Sequence, residues 1–231
     1  MDFLSALFPK RCIHCRKAGE YLCSDCFVKF DFSVTLICAV CGRPAISGLT
    51  HPVCKGRYDI DGVFASLVYQ GMAKKLVYQF KFAPFLTDLR TVIGDFFYEG
   101  LIQQEMFMKI PKQNAIFVPI PLSLKKERRR GYNQADILSR DLGKKLGIPS
   151  GSLLKRVKEV PTQVGKTQQE RRGNIKGVFA IRPGSLNTIK NKTIFVIDDI
   201  VTSGATLNEA AKILKRQGAR EVWGLALAHG S

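Results

Sequence analysis

Cysteine spacing is the first chemical signal in this chain of 231 residues. The seven cysteines all lie within the first 54 positions, and six of them form three Cys-x-x-Cys pairs. His51 and Cys54 keep the same two-residue gap, so four ligand pairs follow one another. Two such ligands on a tight turn can both reach one ion, at ~2.3 Å for sulfur, and two pairs complete a tetrahedron. The spacing predicts two structural zinc ions, held by Cys12, Cys15, Cys23, Cys26, Cys38, Cys41, His51 and Cys54.

The pairing of these ligands has one favoured solution and several alternatives. An odd number of cysteines in a chain without a visible signal peptide argues against a disulfide framework. Sequential sites are favoured, with Cys12 to Cys26 on one ion and Cys38 to Cys54 on the other. A crossed arrangement and a single site beside a degraded one stay open, and His14 could compete as a ligand.

Two adjacent carboxylates, Asp198 and Asp199, are the second chemical signal. They follow the apolar run 193–197, and a turn of small and hydroxyl residues leads from them into a predicted helix. Backbone N–H groups of such a turn can converge on a phosphate at the positive end of the helix. The paired carboxylates can accept hydrogen bonds from two vicinal hydroxyls. The two features together describe a ribose 5-phosphate site, whose predicted phosphate loop is Thr202, Ser203, Gly204, Ala205 and Thr206.

The charge of the chain indicates polyanionic partners. Lys and Arg number 36 against 19 acidic residues, a formal net charge of +17. Residues 123–146 carry eight basic and three acidic residues, and residues 155–176 carry seven and two. One diphosphate does not need fifteen cations, so the excess favours a single-stranded DNA backbone over pyrophosphate alone or solvated side chains. The predicted nucleic-acid residues are Lys125, Lys126, Arg128, Arg129 and Arg130, with Tyr132 and Phe179 as the visible stacking candidates.

These residues need a scaffold, and the hydrophobic pattern predicts an α/β fold. Strands are predicted at 63–69, 115–118, 178–181, 193–197 and 222–228, and helices at 72–82, 86–106, 134–146 and 205–217. Strands that alternate with helices imply a mostly parallel sheet with helices on both faces. The change of texture near residue 58 predicts a zinc-ribbon module at 1–58 and a second domain at 59–231.

Composition bears on the compartment as well. The chain is 45% hydrophobic and 24% charged, which is typical of a folded soluble protein. Its longest uncharged runs reach 12 residues, against ~20 for a spanning helix. The opening Met1-Asp2-Phe3-Leu4 shows no signal peptide, so we expect no membrane insertion and a cytoplasmic protein.

The segment 194–206 resembles the phosphoribosyl-pyrophosphate (PRPP) motif of type I phosphoribosyltransferases: an apolar run, two acids, two apolar residues, then Thr-Ser-Gly-Ala-Thr. Further motifs join it: the four ligand pairs, Pro119-Ile120-Pro121-Leu122, the basic run into Arg130-Gly131-Tyr132-Asn133, and Glu170-Arg171-Arg172. With them, almost the whole chain resembles the ComF family. That resemblance implies a phosphoribosyltransferase-like protein associated with DNA uptake in natural transformation.

The resemblance also implies roles for single residues. Asp198 and Asp199 would hold the ribose hydroxyls, the phosphate loop would cradle the 5-phosphate, and Mg²⁺ would accompany PRPP. Pyrophosphate would bind at Pro119, Ile120, Pro121 and Leu122, and residues 159–176 would form a lid.

Catalysis stays open at this point. Thr202 stands where the purine-salvage branch carries an acid, and a threonine cannot be a general base near neutral pH. His229 is predicted to be a surface residue near the chain end. A phosphoribosyltransferase with an unknown small acceptor, and an adaptor whose zinc ribbons dock a helicase or another DNA-uptake protein, remain the alternatives.

Overall fold

A four-stranded parallel sheet forms the centre of the molecule. The computed structural model describes residues 10–82, 87–159 and 173–230, with residues 87 and 88 described by their backbone only. The sheet has the order β1-β6-β5-β2, and two short strands, β3 and β4, pair antiparallel beside it. The strands are β1 (Gly62–Val68), β2 (Ala115–Pro119), β3 (Leu154–Arg156), β4 (Phe179–Ile181), β5 (Thr193–Val201) and β6 (Glu221–His229).

The helices cover both faces of this sheet. They are α1 (Ser24–Phe27), α2 (Gly71–Phe82), α3 (Thr87–Ile102), α4 (Glu105–Lys109), α5 (Leu124–Arg130), α6 (Gln134–Leu146), α7 (Leu186–Ile189) and α8 (Ala205–Arg216), with single 3₁₀ turns at Ile46–Gly48 and Pro52–Cys54. Among the described residues, no helix combines the length and the apolar character that crossing a membrane requires.

Alternate residues of each strand feed two separate cores. Phe117, Phe195 and Leu225 pack with residues of α2, α3, α4 and α6 on one face. Val118 and Val196 pack with α8 and with β3 and β4 on the other face. Successive side chains of a strand point to opposite faces, and a parallel sheet is covered on both. The predicted α/β fold with helices on both faces is therefore confirmed.

Two predicted elements differ from the structure. The single helix expected over 86–106 is wrong, because the extended backbone at Gln104 separates α3 from α4; Leu86 lies outside the described residues. The strand expected over 193–197 continues to Val201, so both aspartates lie within β5 rather than after it. Their side chains therefore leave the sheet on opposite sides.

The basic run forms a helix that the periodicity did not predict. The Ser123 side chain accepts a hydrogen bond from the Lys126 N–H at the start of α5, and Gly131 ends the helix in the left-handed conformation at φ 79°. These two caps explain how a seven-residue helix holds three consecutive arginines at its C-terminal end. The predicted lid at 159–176 lies mostly outside the described residues.

The cysteine-rich segment shares its core with the rest of the chain. Cys12, Cys26 and Phe30 belong to the same buried cluster as residues of α2 and α3. The ring centroids of Phe30 and Phe96 are 4.6 Å apart. The zinc-ribbon segment is thus packed onto the sheet domain through apolar contacts.

Candidate functional site

The eight predicted ligands form two tetrads in sequential order. Cys12, Cys15, Cys23 and Cys26 come together in one, and Cys38, Cys41, His51 and Cys54 in the other. Within each tetrad the potential ligand atoms lie within 4.8 Å of one another. The Cys15 and Cys23 sulfurs are 3.5 Å apart, which suits two ligands of one tetrahedral ion at ~2.3 Å. Both tetrads fit structural zinc.

His51 is set up to offer one particular ring nitrogen. Its Nε2 lies 3.0 Å from the Pro44 carbonyl, which can only accept, so Nε2 carries the proton. In the neutral tautomer with this proton, Nδ1 offers its lone pair to a metal, and it lies 3.4 Å from the Cys41 sulfur. A hydrogen bond from the other ring nitrogen to a carbonyl is the usual way a metal-binding histidine is oriented. His14 is outside the first tetrad, with its Nδ1 2.9 Å from the Lys75 ammonium.

One thiol in each tetrad is poised as a thiolate. Burial raises the pKa of Cys12, but backbone hydrogen bonds from Cys23, Cys15 and His14 outweigh it and bring the pKa to about 6. Cys41 also has a pKa of about 6, because hydrogen bonds from Arg43 outweigh burial. Zinc binds the thiolate form, so these donors prepare the sites for the metal.

The second tetrad touches the phosphate loop. Gly204 has φ 71°, and a Cβ built on it would lie 2.5 Å from the Ala39 Cα. Ala39 lies between two ligands of the tetrad and is fully buried. The sequence therefore needs glycine at 204 for two reasons, the left-handed backbone and the close approach of the zinc loop.

The phosphate loop connects β5 to the start of α8. The first helical hydrogen bond runs from the Asn208 N–H to the Gly204 carbonyl, so the N–H groups of the residues just after Gly204 have no partner within the helix. A small pocket of about 30 Å³ is lined by Asp198 and residues 200–207. The turn offers backbone donors and the positive end of a twelve-residue helix to an anion.

The two aspartates are held in different environments. Asp199 forms a 2.8 Å ion pair with Lys81 of α2, and both side chains are mostly buried. Asp198 lies toward the opposite face, and its pKa is raised to about 7. Burial is the main cause and the charge of Asp199 adds to it, while the Asp199 N–H, Lys81 and Arg156 act in the other direction.

Three cations interact with these carboxylates, Lys81 of α2, Lys126 of α5 and Arg156 of β3, and Arg130 lies near Lys126; these four are called here the cation cluster. Burial lowers the pKa of Lys126, and the positive charges of Arg156, Arg130 and Lys81 lower it further, while Asp199 raises it. Burial also lowers the pKa of Arg156, against the influence of Glu159 and Asp198. Among the described residues, these four cations outnumber the three carboxylates that act on them, Asp198, Asp199 and Glu159, so the site has an excess of positive charge that an anion would neutralise.

Comparisons with known proteins place the chain in a family. A double zinc ribbon domain matches residues 3–56, and a phosphoribosyl transferase domain matches residues 105–229. Competence protein F of Haemophilus influenzae is 33% identical, over 96% of this chain and 98% of that protein. The chain belongs to the ComF family.

Two further relatives of this ComF-family chain are somewhat less identical. Competence protein ComFC of Bacillus subtilis is 29% identical over 90% of this chain and 83% of that protein. DNA utilization protein YhgH of Salmonella typhi is 28% identical over 87% of this chain and 88% of that protein. The solved glutamine PRPP amidotransferase of B. subtilis is 14% identical over 60% of this chain and 26% of that chain, with a TM-score of 0.39, too low to support a conclusion about the site.

The predicted pyrophosphate turn of the ComF-family chain lies beside β5. The Ile120 N–H donates to the Ile197 carbonyl over 2.8 Å, and the Asn133 amide donates to the Ile120 carbonyl over 2.9 Å. Residues 119–122 are thus held at the carboxyl edge of the sheet, next to the aspartates and at the start of the helix that carries Lys126. The end of parallel strands is where open α/β sheets bind ligands.

The five predicted nucleic-acid residues divide into two groups on α5. Lys126 and Arg130 are one helical turn apart and belong to the cation cluster around the aspartates. Lys125, Arg128 and Arg129 are exposed, as is Lys126, whereas Arg130 is half-buried. The basic run therefore serves two places, which its sequence alone did not separate.

Sequence reasoning missed two members of the site and misjudged one residue. Lys81 is an isolated lysine at the end of α2, and nothing in its neighbourhood marked it as a site residue. Arg156 lies within a counted basic cluster, but no spacing distinguished it. His229 is the last residue of β6, and it is half-buried beside Thr202 rather than on the surface.

Proposed function

We propose that this ComF-family chain binds PRPP with Mg²⁺ at the carboxyl edge of its sheet and acts in DNA uptake during natural transformation, where it also binds single-stranded DNA. The interaction of Lys81, Lys126 and Arg156 with Asp198 and Asp199, next to the phosphate loop, is the observation that carries the PRPP part. The competence and DNA-utilization names of its relatives support the cellular part.

The site offers complementary groups to each part of PRPP. The carboxylates of Asp198 and Asp199 can accept hydrogen bonds from the ribose hydroxyls, and the phosphate loop can donate N–H groups to the 5-phosphate. The cation cluster and residues 119–122 suit the pyrophosphate. Mg²⁺ prefers substrate phosphates and waters with few protein carboxylates, so Asp198 and Asp199 fit it and its charge would offset that of the pyrophosphate.

The charge of α5 and the state of the cysteines support the DNA-binding and cytoplasmic parts of the proposal. The outward cations of α5 suit a nucleic-acid backbone. The described cysteines are free thiols grouped for metal binding, which favours a reducing cytoplasm. We also propose that the chain divides into a zinc-ribbon segment at 1–58 and a sheet domain at 59–231. A DNA-processing protein docks on the zinc-ribbon segment in this proposal.

Calorimetry with PRPP and Mg²⁺ tests the site. The double variant Asp198→Ala with Asp199→Ala should lose at least ~100-fold in affinity, because each charge-assisted hydrogen bond contributes ~1.5–3 kcal/mol. Asp95→Ala with Glu105→Ala removes two surface carboxylates on α3 and α4 and should bind like the parent. Equal affinity of the parent and the Asp198/Asp199 variant would show that the assignment is wrong.

A second measurement separates binding from catalysis. Pyrophosphate release from PRPP in the presence of candidate acceptors would identify an active phosphoribosyltransferase. Tight PRPP binding without release would leave PRPP as a bound ligand of a DNA-handling protein.

A further inference from the structure

Helix α2 has an unusual exposed side. Its inner side buries Met72, Leu76 and Phe80 against the sheet. Its outer side presents two lysines followed by two aromatic rings, with 61% of Tyr78 and 46% of Phe82 exposed. The helix contains no acidic residue. The outer residues, called here the α2 face, are Lys74, Lys75, Tyr78 and Phe82.

The two rings of the α2 face form a small aromatic platform. The centroids of Tyr78 and Phe82 are 4.8 Å apart, at an interplanar angle of 47°. The guanidinium groups of Arg129 and Arg130 lie 5.6 and 5.5 Å from the centroid of Phe82. Proteins that bind single-stranded nucleic acids combine exposed aromatic rings, on which bases stack, with arginines that neutralise the backbone.

A basic recess opens at the other end of the platform. It has a volume of about 400 Å³ and is lined by Tyr78 together with His14, Arg16, Lys74 and Lys75. The first zinc loop supplies His14 and Arg16, so this loop and α2 build the recess jointly. The α2 face thus runs from the recess to the arginines of α5, over about 12 Å of helix at 1.5 Å per residue.

We propose that the α2 face binds single-stranded DNA, with bases stacked on Tyr78 and Phe82 and with phosphates on the cations at both ends. This inference rests on the proposed function, because it assigns the single-stranded DNA of that function to a particular surface. The partner follows from chemistry: aromatic faces need unstacked bases, which a duplex conceals, and the cations need a polyanion. An acidic peptide would match the cations but would leave the rings without a partner.

The proposal separates two kinds of contact, and salt distinguishes them. Phosphate contacts on single strands lower the slope of log affinity against log salt by about 0.7 each. Stacking contributes affinity with little dependence on salt, at about 5- to 150-fold per base. A labelled thymidine 20-mer titrated by fluorescence anisotropy at several salt concentrations measures both quantities for the full-length zinc-loaded protein.

Three variants and two controls test the face. Tyr78→Ala should weaken binding at least 5-fold at every salt concentration and keep the slope, and Tyr78→Trp should restore affinity. Lys74→Ala with Lys75→Ala should make the negative slope less steep, raising it by about 1.4. Phe32→Ala is the control for the rings, because Phe32 is an exposed ring that packs on Phe27 and Phe96 and not on the α2 face. Lys190→Ala is the control for the charges, because Lys190 is exposed just before the amino end of β5. Both controls should bind DNA like the parent.

The outcomes separate this inference from the function on which it rests. A parent that does not bind the 20-mer at low salt would overturn both the DNA part of the proposed function and the α2 face. A parent that binds, with Tyr78→Ala unchanged, would overturn the α2 face alone. Equal competition by polyglutamate of matched charge, or tighter binding of a uridine 20-mer, would overturn DNA as the ligand. Unchanged zinc content and PRPP affinity in Tyr78→Ala show that the variant is folded.

Discussion

Asp198 is a carboxyl group whose charge changes near neutral pH. With its pKa raised to about 7 by burial and by Asp199, it is about one-tenth ionised at pH 6 and about nine-tenths at pH 8. We predict that PRPP affinity rises by up to about tenfold across this range, because the ionised group is the better acceptor and cation partner. Calorimetry at both pH values measures it. PRPP phosphates titrate too, so the contribution of Asp198 is the part of the pH dependence that disappears in Asp198→Asn.

The raised pKa of Asp198 also predicts that the stability of the fold depends on pH, in the opposite direction to PRPP affinity. Its folded pKa lies above the ordinary value of 3.8 for an aspartate, so the protonated form favours the folded state. That contribution is complete below about pH 4 and is lost as the pH rises through 7. We therefore expect Asp198→Asn to be more stable than the parent at pH 8 and closer to it at pH 5. Thermal unfolding at the two pH values measures the difference; a parent more stable than the variant at pH 8 would contradict the raised pKa.

Lys126 and Arg128 are close in sequence, but we predict different roles for them in ligand binding. Both side chains are exposed on α5, but Lys126 interacts with Asp199 and Arg156, and its pKa is lowered by burial and by Arg156, Arg130 and Lys81. We expect Lys126→Met to weaken PRPP binding by roughly tenfold or more, since it removes a charged partner of the ligand. Arg128→Met is the matched control and should leave PRPP affinity unchanged. Equal losses in the two variants would mean that α5 acts on PRPP through its overall charge alone.

Among the elements, the second zinc loop and the phosphate loop act as one unit. Ala39 fills the space that a side chain at 204 would need. We predict that Ala39→Val weakens PRPP binding by about tenfold with zinc content unchanged, because overpacking shifts neighbouring backbone at a cost of ~1–3 kcal/mol. Calorimetry together with zinc analysis tests this. Val40→Ala, a change in the same loop at a half-exposed position, should keep PRPP affinity; if it loses as much, the effect is not specific to the contact with Gly204.

Helix α2 links two sites because its two sides differ. Lys81 points inward to Asp199, and Tyr78 and Phe82 lie on the outside. The inner side of the helix therefore contributes to the proposed PRPP site, and its outer side forms the α2 face. The arginines of α5 extend this arrangement, since Arg130 contacts Phe82 and also belongs to the cation cluster.

At the scale of the whole molecule, the zinc-ribbon segment is part of the common core. Cys12, Cys26 and Phe30 are buried with residues of the sheet domain. We predict close to two zinc ions per chain, and a single unfolding transition that chelation moves to lower temperature as a whole, because metal binding here is coupled to folding. Elemental analysis and calorimetric unfolding measure the two quantities.

The contrary results for zinc are specific. A zinc content near zero in reduced, undamaged protein would contradict the metal sites, and a content near one would leave a single site. A separate low-temperature transition after chelation, with the sheet domain unchanged, would contradict the shared core.

Local spacing in the sequence was enough to predict the features that depend only on residues close together in the chain. Zinc ligands with two residues between them must share a turn, and the run from Ile194 to Thr206 must form a strand, a tight turn and a helix. The fold class and the place of both aspartates near the carboxyl edge of the sheet follow from such short-range rules. The sequential pairing of the zinc ligands was the favoured one of several arrangements, and the structure decided it. The break between α3 and α4 did not, because it depends on how the two helices pack.

Only the tertiary structure decided which distant residues meet. Lys81 reaches Asp199 because α2 crosses the face of the sheet to which Asp199 points, and Arg156 lies toward Asp198 because β3 flanks the other face. Ala39 meets Gly204 because the zinc-ribbon segment is packed onto the sheet. Composition predicted a basic protein, but the division of its cations between the aspartates and the α2 face depends on which side of each helix is buried. Side-chain direction is set by packing, which a pattern of residue types does not encode pair by pair.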